Sequence, residues 1–395
     1  MQADDVGQNG KGALAEVRRI ARSFHVLTKG WWSGPTLWQA WFLTFALAAS
    51  LAILMGVNVL ANRWQGWFFD AIGKRDSVAI WQTVAILPVL VFCTAFVGVC
   101  IVLSREILQT RWRQWITRRL LDRWLGSNRF QKLKASGKEP ANPEYRIADD
   151  VRMTIEPLTD LVIGLVSAVL SASAFIGILW SVGGGYNLPA FGTTIYIPAY
   201  FVLAALVYGI FTSGLIAVIG RKLIWKVAAR NEAEAAFRST LTLVRDRAEE
   251  IAASHRSRIE QEQAFSRYEL VVRRWLDVTR THSHITWITN SNGIMIATVP
   301  LLLAAPKYIA GEMSLGDVVR VAGAFAAVQT AISWLVDNFR VVALWAASAR
   351  RVVELSDAIN EIEGAPLQEE HALAPISAVS QAPPGEYTSG ELTGR

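Results

Sequence analysis

Cysteine is nearly absent from the 395 residues, Cys93 and Cys100 being the two present. They sit seven apart in one apolar run, so a helix offsets them by about 10 Å, too far for a disulfide. They read as packing residues and carry no information on redox compartment. Charge is also scarce, at 18% of residues against 52% hydrophobic ones, with a mean hydropathy of +0.29. That balance excludes an ordinary soluble domain. There is no apolar run before Trp38, and acids stand early at Asp4 and Asp5, so a cleavable signal peptide is not expected. No Gly-x-x-x-x-Gly-Lys-Ser/Thr occurs, and the glycine triplet from Gly183 lacks the lysine. Without backbone amides and a lysine placed to hold phosphates, this chain is not expected to bind or hydrolyse ATP alone, nor to hold any other cofactor. No nucleophile, base and acid are spaced for catalysis. His282 and His284, two residues apart, diverge on a helix, so no metal site is expected.

What is abundant is tryptophan, 16 residues of it. Trp38, Trp64, Trp67, Trp180, Tyr196, Trp225, Trp287 and Tyr308 crowd the ends of apolar runs, as an interfacial aromatic belt does. Six runs are long enough to cross a bilayer: about 38–61, 80–104, 158–182, 195–219, 285–305 and 318–347. The chain therefore reads as an all-α polytopic membrane protein. Twelve Lys and Arg fall in 105–156 and thirteen in 221–284, whereas 183–194 has none and 306–317 has Lys307 alone. The positive-inside rule puts the two basic connections and both termini in the cytoplasm. It also accounts for the net charge of +6 without nucleic acid.

The organisation follows. Residues 1–37 form a cytoplasmic segment in which Val17, Ile20, Phe24 and Leu27 recur at helical spacing opposite Arg18, Arg19 and Arg22, an elbow helix expected on the inner membrane face. Residues 38–359 form a six-helix domain with cytoplasmic arms at about 105–157 and 221–284. The first arm's helix runs to Gly126 and Asn128; the second has no Pro or Gly from Arg221 to Thr281. Residues 360–395, rich in Pro and acids, read as a disordered tail.

Candidate site residues lie in four places. The last span carries Gln329, Ser333, Asp337 and Arg340, which a continuous helix would set on one side. Such a stripe cannot face lipid cheaply and suits a wet cavity, although a local Asp337–Arg340 pair explains those two charges equally well. The fifth span begins with Thr289, Asn290, Asn292 and Gly293 ahead of Pro300. An unwound solute path and interhelical hydrogen bonding explain this equally well. Asp160, His282, His284 and Asp337 are the groups that proton coupling could use, although histidines at a membrane edge are more often simply solvated. In the arms, Asn142 and Pro143 suit a helix start, and Arg146 with Asp149 and Asp150 suits local surface pairs. Ser167, Ala168, Ser171, Ala172, Ser173 and Ala174 of the third span read as a close-packing stripe.

Four stretches carry a resemblance. AGEMSLGDVVRVAGAFAAVQTAISWLVDNFR (310–340) followed by RRVVEL (350–355) is similar to the sixth helix of the YddA-like bacterial ABC transporters. Those are related to the peroxisomal ABC subfamily D half-transporters and the SbmA/BacA peptide transporters. WFFDAI (67–72) with Arg75-Asp resembles the group's first external turn, NPEYRIADD (142–150) its "NPDQRI…D" motif, and EEIA (249–252) its "E-x-I-A" motif. The resemblance spans about residues 15–360. It implies an ABC-exporter-type transmembrane domain in a bacterial inner membrane, working as a dimer of two copies on peptides or amphipathic, lipid-like solutes. It also implies that Asn142, Arg146, Asp149 and Asp150, with Glu249 and Glu250, belong to segments that touch an ATP-binding subunit. The group's pattern puts an ATPase soon after Ile359, where this sequence has its Pro-rich tail, and AASHR (252–256) departs from the group's second motif. Three functions stand open: an ABC-type permease served by an ATPase elsewhere, a proton-driven peptide importer like the SbmA/BacA group, and a non-transporting scaffold.

Overall fold

The computed structural model describes residues 17–190 and 193–363. The early acids Asp4 and Asp5 and the Pro-rich tail from 364 onward lie outside the described residues. The elements that matter are α1 (17–28), α2 (Leu37–Gly73), α3 (Ser77–Leu125), α4 (Val151–Gly183), α5 (Tyr200–Asp246), α6 (Ser257–Ile309), α7 (Leu315–Asp337) and α8 (Phe339–Glu363). Among the described residues six helical stretches are long and apolar enough to cross a membrane, and most of their apolar surface faces outward, with 11% of the α3 window buried. Outward Val89, Phe92, Phe96 and Val99 on α3 are what lipid contact requires. The all-α reading holds, with one small addition. Antiparallel strands β1 (Tyr186–Ala190) and β2 (Thr193–Ile197) join α4 to α5, Tyr186 opposite Ile197.

The chain forms two compact units. Among the described residues, the first comprises 17–45, Thr110–Arg152 and 348–363. Within it Ile20, Phe24 and Leu27 of α1 are buried, with Phe24 6.3 Å from Trp112 of α3 and Trp32 edge-on to Trp112 at 4.9 Å. The apolar face of the elbow helix is therefore covered by protein. That differs from a helix laid in the membrane surface, because aromatic packing has already removed that face from water. Gly30 makes the approach possible, since a Cβ there would lie 2.9 Å from Trp115.

The second unit holds Ala46–Gln109 and Met153–Ala347. Its core joins α4, α5 and α7 through Leu179, Phe201, Ala205, Val321, Phe325 and Val328. Small residues at i, i+4 and i+8 on α5 (Ala205, Gly209, Ser213), all buried, admit α7 closely. Elsewhere Asp70 accepts from the Gly316 N–H at 2.7 Å and Asn62 donates to the Arg320 carbonyl at 3.0 Å, tying α2 to the start of α7. Asp317 pairs with Arg320 at 3.5 Å.

Two helix breaks, and one continuity, are not legible in the sequence. The arm expected as nearly unbroken helix from Arg221 to Thr281 ends at Asp246, makes the short helix Ala248–Ala253, and restarts at Ser257. A single helix of that length would run about 90 Å without returning, and His255 takes the left-handed region at φ 50° to turn the chain. The last span breaks at Asn338, whose N–H and side-chain amide both donate to the Trp334 carbonyl. And α6 runs unbroken through Pro300 and Pro306, so the fifth span is not unwound.

Candidate functional site

Asn142 opens the conspicuous arm segment in the left-handed region (φ 52°), which suits asparagine, and Pro143 starts the turn behind it. The backbone then makes a wide turn over Arg146–Asp150 that aims two charged side chains inward. Arg146 is buried and donates to the Ala141 carbonyl (3.1 Å), the Arg351 carbonyl (2.8 Å) and Glu354 Oε2 (3.0 Å). Asp150, with no exposed surface, accepts two bonds from Arg351, at 2.8 and 2.6 Å. Arg351 also reaches the Ser348 hydroxyl at 3.1 Å. The expected local pairing of Arg146 with Asp149 and Asp150 is thus corrected. Both buried groups pair with α8, some two hundred residues on, because a group taken out of water must find a full complement of partners. Asp149 alone pairs locally, with Arg152 at 3.4 Å.

The same helix is gripped further along, by Arg123 on Asn360 and Lys138 on Glu361. Between the charged positions, Val352, Leu355 and Ile359 are buried at i, i+3 and i+7. In this stretch of α8, beyond the apolar run, the bonds that Arg351 donates to Asp150 raise its guanidinium above its ordinary value, with burial opposing. Burial pushes the Glu354 carboxyl up, but bonds from Arg146 and Arg350 outweigh it and leave the group below the usual range.

At the tip of the second arm, Glu249 and Glu250 lie exposed in the first turn of Ala248–Ala253. Alongside, α5 and α6 enclose an open groove of about 640 Å³ holding Arg247, Arg267 and Arg273 with Glu260. This is a charged, accessible surface, the kind a partner protein can dock on.

The intramembrane stripe does not survive as one surface. Gln329 is buried and its Nε2 donates to the Ala205 carbonyl at 2.7 Å, seated where Gly209 leaves room; a Cβ on Gly209 would be 2.7 Å from Gln329 Oε1. Its place is a dry helix–helix seam, so it does not line a wet cavity. Asn292 is half-buried and accepts from the Tyr208 hydroxyl at 2.6 Å, again an interhelical bond. Asn290, Asp337 and Arg340 are exposed. Ser333 donates to Asp337 Oδ2 at 2.9 Å, and Asp337 makes no ion pair with Arg340. The break at Asn338 lies between them, so the continuous-helix projection that aligned them does not apply. Asp160 accepts from Gln109 at 3.1 Å and sits 3.6 Å from Arg105, while His282 and His284 are exposed.

The small-residue stripe of α4 is also partly reassigned. Gly164 does pack closely, its position lying against the Trp334 indole. Beyond it Ser167, Ala168 and Ser171 leave a cleft of about 310 Å³ shared with Leu54 and Asn58 of α2 and Thr330 of α7. Sequence reasoning missed Asn58, Tyr208 and Trp334. The one available signal was the small-residue spacing on α5, which marks where a neighbour comes close without saying which.

Residues 27–309 match the family model described as ABC transporter transmembrane region 2. Among similar proteins, the inner membrane ABC transporter ATP-binding protein YddA of Escherichia coli is 23% identical over 86% of this chain and 61% of its own length. An uncharacterized ABC transporter ATP-binding protein of Synechocystis is 23% identical over 82% of this chain and 47% of its own. The chloroplastic ABC transporter D family member 2 of Arabidopsis thaliana is 23% identical over 88% and 47%. The chain thus spans about half to three fifths of the length of these curated relatives.

Proposed function

The chain belongs to the ABC transporter transmembrane region 2 family, and from that premise we propose that it is the membrane-crossing part of an exporter-type transporter. Two copies work together on peptides or amphipathic, lipid-like solutes, and ATP hydrolysis is supplied by a separate polypeptide segment or subunit. The single observation that supports this most is the junction of Arg146 and Asp150 with Arg351 and Glu354. It locks the arm segment that resembles a coupling motif to the continuation of the last span, so a push on the exposed side of that segment reaches α8 directly. Asn142, which is exposed, and Asp149 on that segment, with Glu249 and Glu250 at the other arm's tip, are the groups accessible to the ATPase. Arg146 and Asp150 act behind them as positioning residues. The inner membrane is the natural location, with the basic arms and both termini in the cytoplasm.

Reconstitution tests this reading. The purified chain in vesicles, supplied with candidate ATPase subunits and ATP, is expected to move a labelled amphipathic peptide, and to do nothing with an imposed pH gradient alone. Uptake that follows the pH gradient without ATP overturns the ATP-coupled reading in favour of a proton-driven importer. No flux under either condition from a stable dimer points to the scaffold.

A further inference from the structure

Helix α1 keeps a charged face after its apolar one is covered. Arg18, Arg22, His25 and Lys29 are all exposed and stand at i, i+4, i+7 and i+11, within about 60° of arc on a helix. The Lys29 N–H donates to the His25 carbonyl at 2.8 Å, which carries the helical turn through the end of the stripe. Arg19 is exposed beside it. The segment brings no counter-charge, because the sequence has no acidic residue between Glu16 and Asp70. The long arm at 221–284 is different: its thirteen basic residues are interleaved with nine acidic ones. Arg230 there pairs with Glu234 at 3.7 Å and Arg258 with Glu262 at 3.9 Å. Arg18, Arg19 and Arg22 make no ion pair among the described residues. One carboxylate, Asp357 of α8, borders a small hollow with Arg22 without pairing to it.

The place of the stripe is fixed by aromatic contacts. Phe24 and Trp32, eight residues apart, both meet Trp112 of α3, and Trp31 meets Trp115 one turn on, at 6.4 Å. A helix running alongside α3 would meet it at positions as far apart as its own. So α1 lies across α3, and the two ends of the stripe sit at a similar depth. That depth is set by α2. Trp32 donates its indole N–H to the Thr44 hydroxyl at 3.3 Å and accepts from the Trp41 indole at 3.3 Å. These partners are in the opening turns of the first apolar run, where Trp38 is 84% exposed and Phe42 stands outward. Aromatic side chains so placed mark the membrane–water interface.

We propose that α1 docks its basic stripe on the phosphates of anionic membrane lipids, in the leaflet where the first apolar run begins. Its apolar side is spent on α3, so charge alone holds this helix to lipid. A net-anionic phospholipid meets both features of the surface: its phosphate faces the stripe and its acyl chains meet Trp38 and Phe42. A zwitterionic lipid brings its own cation, and a soluble anion leaves the aromatic side unfilled.

The test places the purified full chain in phosphatidylcholine nanodiscs with a trace of phosphatidylglycerol bearing a diazirine on its headgroup, and maps cross-links by mass spectrometry. Labelling is expected to concentrate on residues 17–42. In the triple variant Arg18→Gln/Arg22→Gln/Lys29→Gln it should fall towards the level given by phosphatidylcholine bearing the same diazirine. The drop is up to about a hundredfold, at about fivefold for each cation beside an anionic surface. The variant's thermal midpoint should match the parent's, since the stripe is exposed. Arg18→Lys/Arg22→Lys should keep the labelling, and added salt should weaken it in the parent. Those two measurements decide the matter should the triple variant not fold. Removing three exposed cations elsewhere, in Lys132→Gln/Lys134→Gln/Arg258→Gln, should leave it unchanged. Equal labelling by the phosphatidylcholine probe, equal labelling of Lys132–Lys138, or indifference to both the triple variant and salt overturns the proposal. So does displacement of the probe by inorganic phosphate, which makes the stripe a soluble-anion site. Displacement by a polyglutamate peptide more readily than by unlabelled phosphatidylglycerol also overturns it, and assigns the stripe to an acidic protein.

Discussion

Asp150 and Gln329 show how burial reassigns a polar side chain. Each looks, along the chain, like a surface or cavity residue, and each is sealed by a partner from a distant helix. The consequences differ because one is charged. Asp150→Ala leaves Arg351 without its bidentate partner and is expected to destabilise by about 2–3 kcal/mol, at or below the foot of the range for a broken buried pair, since the arginine keeps 43% of its surface exposed. Thermal unfolding of the detergent-solubilised chain checks this, and the swap Asp150→Arg/Arg351→Asp should recover part of the loss. Gln329→Leu removes a neutral bond worth about 0.6 kcal/mol in a membrane and replaces it with packing, so stability and transport should both be nearly unchanged. A large loss of flux would return Gln329 to the solute path. The junction also has a pH signature. The Glu354 carboxyl is held below its ordinary range, so its contribution is complete above the unfolded carboxylate range and is lost as pH falls through the lowered value. Unfolding midpoints measured from neutral to acid pH should drop in the parent more than in Glu354→Gln.

Among the elements, the last span teaches most. Its polar residues form a single stripe only if one helix runs from Val318 to Ala347, and the break at Asn338 removes that condition. No Gly or Pro announces the break; a side-chain amide competing for a backbone carbonyl does it. The arm tip is similar, turned by His255 in the left-handed region and again without glycine. Glu249 and Glu250 at that tip make few demands on the fold. The pair Glu249→Lys/Glu250→Lys is therefore expected to leave the unfolding midpoint within about 0.5 kcal/mol of the parent, as surface changes do, while abolishing ATPase stimulation by the docked subunit. Stimulation that persists would take these glutamates out of the interface. Amphipathic periodicity located α1 and its buried residues well, yet the partner was an aromatic helix rather than the membrane surface.

For the molecule as a whole, crossing by all six candidate spans would put the two long connections on one side and the short hairpin on the other. Cysteines introduced at Lys138 and Glu250, in a background with Cys93 and Cys100 replaced by alanine, should react with an impermeant maleimide in inside-out vesicles and stay silent in right-side-out ones. One at Tyr196 should do the opposite. Agreement of all three fixes the orientation; any reversal overturns the positive-inside assignment. Light scattering of the purified chain should give twice the 43.6 kDa chain mass if two copies form the transporter.

Hydropathy, aromatic belts and charge alternation were enough to reach a six-span all-α membrane protein with helical arms, since transfer of apolar surface out of water is additive along the chain and needs no knowledge of neighbours. The motif segments could be picked out in the same way. Which partner each polar residue takes was another matter. The bonds Arg146–Glu354, Asp150–Arg351, Gln329–Ala205 and Asn292–Tyr208 join positions 84 to 208 residues apart. Periodicity on one helix gives the direction of a side chain but not the helix that meets it. Those pairings are settled when the helices close on one another.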